Sequence, residues 1–125
     1  MKVRALCLAV VSAFVMTAPV LAHHTHANFD QSRFIHLSGT VTEMRWMNPH
    51  VWFYMRVAGE NGQERPWSME GGSTAALIRG GWSRDTIKAG DTVTVRCHPQ
   101  KDGTNGCLMG FVTNINGAAM DKQFD

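Results

Sequence analysis

The sequence predicts an all-β domain carrying one short helix, and three observations predict it. Residues 51–57 alternate strictly, with Val51, Phe53, Met55 and Val57 on one face and Trp52, Tyr54 and Arg56 on the other, as a half-buried strand requires. Turn-forming pairs recur at short intervals, among them Asn61-Gly62, Gly71-Gly72, Gly90-Asp91 and Asn116-Gly117, which leaves room for strands and little else. One segment, Thr74–Arg79, has helical start and stop signals. Ser73 can cap its first turn and Gly80-Gly81 ends it.

The chain opens with Lys2 and Arg4, continues through an apolar run over 5–16, and reaches Val20-Leu21-Ala22 with small residues at −3 and −1. This is the anatomy of a secretory signal peptide, and the run is too short to span a membrane. Cleavage after Ala22 is expected, so the remainder suffices for one small domain with one core. The expected organisation is a signal peptide over 1–22, a His-rich arm over 23–34, a barrel over 35–118 and a loose tail over 119–125. Lys2 and Arg4 also account for the whole of the formal +2, since the full chain holds 12 Lys+Arg against 10 Asp+Glu. A balanced mature chain offers no polyanion-binding surface, which argues against nucleic acid as a partner.

The first mature strand is expected over residues 37–47. Leu37, Gly39 and Val41 share a face before the phase shifts to Met44 and Trp46, which suggests a bulge in a strongly bent strand. Asn48-Pro49 breaks it, because proline lacks an N–H and pushes the residue before it out of the α region. His50 then leaves the turn between Trp46 and Trp52. Gly59-Glu60-Asn61-Gly62 turns strand two into strand three, near Glu64 to Glu70. After the helix, Trp82 and Ile87 are expected to pack beneath it. Strands four (92–96) and five (108–112) flank a polar segment bounded by Cys97 and Cys107. An even cysteine pair in an exported domain favours a disulfide across this hairpin; the rival is a metal site using Cys97, His98 and Cys107. Three strands, a helix and two strands is the order of a five-stranded OB-fold-like Greek-key barrel, with the helix at one end.

The pattern His23-His24, Phe29-Asp30, Gly39-Thr40-Val41, Trp46 with Asn48-Pro49-His50, Trp67 with Glu70-Gly71, Gly81-Trp82 and Gly90-Asp91 resembles a family of small exported proteobacterial proteins that form a domain of unknown function. The resemblance spans the mature chain and implies export and a compact β-fold. It implies no activity. Where that family has Ser after the His pair, this chain has Thr25-His26.

Chemistry must therefore be read from residues. If cleavage follows Ala22, His23 becomes the first residue, and its α-amine and ring nitrogen can chelate one ion, the nitrogen-rich set that Cu(II) prefers. A further imidazole would complete the set, with His24, His26, His36, His50 and His98 as candidates. Cleavage one residue earlier would leave a terminus with histidine in third position, which also binds copper or nickel. The competing reading is a flexible arm with incidental metal affinity. His50 and Glu70 should meet, because strands two and three pair through the 59–62 turn and position 50 falls near position 71. They could act as ligand and support, as acid and base, or as a structural pair at the rim. Trp46, Trp52 and Tyr54, with Glu70, form a candidate ligand face, although such aromatics are often covered. No nucleophile elbow, phosphate loop or zinc spacing is present, so an enzyme is not favoured. Two readings stand: a periplasmic copper-binding module using His23, His24, His26 and His50, or a metal-free module whose aromatic face binds a protein partner or a small ligand.

Overall fold

The structure is a computed structural model and describes residues 26–125. Its elements are β1 (Ile35–Arg45), β2 (Trp52–Ala58), β3 (Glu64–Glu70), α1 (Thr74–Arg79), β4 (Thr92–Pro99), β5 (Gly106–Ile115) and β6 (Ala118–Gln123). The strands run in the order β3-β2-β1-β4-β5-β6, and β3 also pairs in parallel with β5 through Ser68↔Gly106, Met69↔Cys107 and Glu70↔Leu108. That extra pairing closes five strands into the expected OB-like barrel and leaves β6 as an appended sixth strand.

β1 serves two neighbours, which is why its sequence changes phase. Its first half pairs with β4 and its second with β2. The register slips between Val41 and Glu43, so the extra residue bends the strand from one partner to the other. The alternation read in β2 holds, since Val51, Phe53 and Met55 are fully buried and Val57 nearly so. With Met69, Val95 and Met109 they fill the barrel.

α1 closes the end where β3 leaves the barrel. Ser73 Oγ accepts from the Ala76 N–H at 3.2 Å. At the other terminus the Gly81 N–H reaches the Ile78 carbonyl and the Trp82 N–H reaches that of Leu77. Gly81 takes φ +82°, the left-handed position that this cap requires. Leu77, Trp82 and Ile87 are buried below it, as expected.

Two expected boundaries are corrected. Residues 119–125 do not form a loose tail. Asn116-Gly117, with φ of 50° and 89°, makes a tight turn into β6, and Phe124 is 1% exposed in the core. The described part of the 23–34 segment is no free arm either. Phe29 is buried and bridges to Gln100, the Asp30 N–H donates to the Pro99 carbonyl, and the Lys101 N–H donates to that of Asn28. One buried aromatic and the two backbone hydrogen bonds that make the Phe29–Gln100 bridge anchor it to the β4–β5 corner.

Candidate functional site

His50 sits at the end of the β1–β2 loop, and three sets of hydrogen bonds fix that loop. Asn48 Oδ1 accepts from the Thr74 N–H at 3.0 Å and from its hydroxyl at 2.9 Å. The Val51 N–H donates to the Gly72 carbonyl, and the Gly71 N–H donates to that of Val51, both at 2.8 Å. The loop is thereby laced to the start of α1, and the imidazole comes to rest beside the end of β3.

There it meets Glu70. His50 Nδ1 lies 2.9 Å from Glu70 Oε1. The carboxylate is the one buried charged side chain among the described residues, at 1% exposure. Oε1 has no hydrogen bond of good geometry, despite the nearby ring nitrogen. Burial raises the Glu70 carboxyl above its ordinary value, and its electrostatic interactions with His50 and then His26 act in the opposite direction.

His26 comes to the same place from the other side. Its ring centroid is 6.1 Å from that of His50, the planes tilted by 31°. Its carbonyl accepts from the Phe29 N–H and from Gln31 Nε2, so the turn carrying it is anchored by the buried Phe29. The expected meeting of His50 with Glu70 and the candidate role of His26 thus fall at one rim of the barrel. His23 and His24 lie outside the described residues. Among the described residues no group of three His, Cys, Asp or Glu side chains is close enough to hold a metal ion.

The other candidates lie elsewhere. His98 stacks on Phe34 at 4.1 Å and donates from Nδ1 to the Arg33 carbonyl at 2.7 Å. His36 is exposed on β1. Neither belongs to the His50 rim. Trp46, Trp52 and Tyr54 are half-buried, Trp46 packing on the core and Tyr54 lying under the Arg45 guanidinium at 4.9 Å. Glu70 departs from the expected ligand face, because it is covered rather than presented. Cys97 and Cys107 are disulfide-bonded, with Cα atoms 5.7 Å apart, so the rival metal site at these cysteines does not form.

Asn48 and Thr74 carry the geometry of the rim without having been singled out as site residues. The only signal was Asn-Pro, which marks a turn and not the partner of the asparagine side chain.

These features define a small disulfide-stapled β-barrel protein with an imidazole–carboxylate pair at its plugged end. The chain belongs to the family of unknown function DUF6152, whose model matches residues 9–109. Comparison with curated proteins gives no match. No helix among the described residues is long and apolar enough to cross a membrane.

Proposed function

We propose that this is an exported periplasmic protein that binds a metal ion, copper by preference, through its processed His-rich terminus and His50. The observation that carries the reading is the 6.1 Å approach of His26 to His50. His23 and His24 precede His26 by three and two residues in sequence, so a docked His26 shortens the span between terminus and rim. Cleavage after Ala22 would give His23 an α-amine next to its own ring, and His50 would add an imidazole from the barrel. Nitrogen donors of this kind suit Cu(II).

The residues fit a cation in a second respect. Glu70 Oε1 is buried, close to His50 Nδ1 and without a directional hydrogen bond. With Nδ1 turned toward the carboxylate, Nε2 is the ring nitrogen left to face an ion. The Cys97–Cys107 disulfide is compatible with an oxidising compartment, and the likeness to exported proteobacterial proteins agrees with export. Recognition through Trp52 and Tyr54 has less support, because both rings are half-buried.

The test is Cu(II) titration of correctly processed protein, followed by electron paramagnetic resonance. One equivalent should bind with a nitrogen-rich spectrum, and His50→Ala should change that spectrum. One residue added before His23 should weaken binding strongly, because it takes the amine away from that imidazole. Equal, weak binding by native and extended termini would overturn the proposal, as would a mature terminus well inside the arm.

A further inference from the structure

Among the described residues the barrel is closed at one end and open at the other. α1 covers the first, but at the β2–β3 hairpin end a cavity of about 570 Å³ remains, within the range of small-molecule sites. Its floor is apolar, made by Ile35, Leu37, Val57 and Trp67. These residues continue the inward faces of their strands. Gly39 pairs with Val57 and Met55 with Trp67, so the floor is the top layer of the core, and Trp67 is only half-buried. An indole left half-bare over a core layer is a surface on which a flat or branched apolar group can pack.

The rim adds charge of both signs. Arg65, the cross-strand partner of Val57, and Glu60, in the hairpin turn, both line the cavity. They do not pair with each other. The ion pairs among the described residues are Asp30–Arg33, Glu43–Arg45, His50–Glu70 and Arg96–Asp121, and none involves Arg65 or Glu60. Asn105 and His36 complete the edge with further hydrogen-bonding groups. One cation and one anion facing the same apolar hollow are complementary to a ligand that carries both opposite charges and an apolar side chain.

We propose that this open mouth binds a free apolar α-amino acid, its side chain against Trp67, its carboxylate toward Arg65 and its ammonium toward Glu60. The site lies across the barrel from His50 and does not depend on the metal reading.

The test uses metal-free protein with a chelator present, so that amino-acid complexes of copper play no part. The Trp67 indole N–H resonance, assigned through Trp67→Phe, is followed while L-phenylalanine, N-acetyl-L-phenylalanine and L-phenylalanine amide are added separately. L-Phenylalanine should shift it saturably, and each blocked form, lacking one charge, should bind about tenfold more weakly, the loss of one charged hydrogen bond. Arg65→Ala and Glu60→Gln, both exposed positions, should each weaken L-phenylalanine by about the same factor. The proposal is overturned if no probe gives a saturable shift at millimolar concentration. It is equally overturned if a blocked form binds as well as the free amino acid, or if neither rim variant changes the affinity.

Discussion

Phe124 stands edge-on to Trp82, ring centroids 4.9 Å apart and planes 77° apart, while Trp82 Nε1 donates to the Gln123 carbonyl at 2.6 Å. The same phenyl ring meets Phe53 edge-on at 5.5 Å. Phe124 therefore completes the core on the side of α1, by edge-to-face aromatic contacts that ring quadrupoles favour.

Phe124→Ala and Trp82→Ala should each cost about 3 to 5 kcal/mol of unfolding free energy, the usual range for deleting a buried aromatic. The double variant should lose less than the sum, since the two rings share a contact. Trp67→Ala should cost clearly less than either, because Trp67 is only half-buried at the open mouth. Urea unfolding of the four variants measures all of this. Equal losses at Trp67 and Trp82 would contradict the burial described.

Glu70 should give the stability an unusual pH dependence. Burial raises its carboxyl pKa in the folded state above the ordinary 4.5. The folded protein then holds a proton that the unfolded chain has already released, so stability from this group is present below about 4.5 and is lost as pH rises through the folded value. Asp30, Asp91 and Asp102 act in the opposite sense, their hydrogen bonds lowering their pKa values, so total stability alone would blur the effect. Glu70→Gln isolates it. Relative to the native protein, this variant should gain stability as pH rises above about 4.5 in urea unfolding. A difference that stays flat with pH would show that burial does not perturb the carboxyl.

The disulfide closes a short loop, with ten residues of sequence separation. Replacing both cysteines by Ala should lower stability by about 2 to 3 kcal/mol on the chain-entropy account, with the barrel still folded. Protein cut after Ala22, and so without Cys7, should show no free thiol on titration under denaturing conditions. Two reactive cysteines would contradict the pairing.

Much of the barrel was legible because turns and alternation are local signals. Ser73 and Gly80-Gly81 marked α1 at its observed limits, and Asn61-Gly62 marked the β2–β3 hairpin. β6 was missed for an equally local reason. Ala118, Ala119, Asp121, Lys122 and Gln123 are poor strand formers, and the pairing with β5 overrides their propensity. The Asn116-Gly117 turn is itself a strong hairpin signal, but a turn alone does not say that a second strand follows it. At the rim, strand register brought His50 to Glu70 within one position of the count. The burial of Glu70 was not legible, because it depends on what the loop and the docked turn lay over an outward-facing position. The docking of residues 26–34 was hidden in the same way: a single phenylalanine in a polar stretch does not announce what it will pack against.

Asn48 ties two distant segments through one oxygen atom. Because Thr74 donates to it with both backbone and side chain, the loop bearing His50 and the first turn of α1 behave as one mechanical unit. His50 is two positions from the asparagine in sequence, and the asparagine is twenty-six from the threonine, so a pull on the imidazole reaches the plug through space and not along the chain. Whatever restrains His50 should therefore slow amide exchange in α1, and loosening that helix should set the imidazole adrift from its carboxylate.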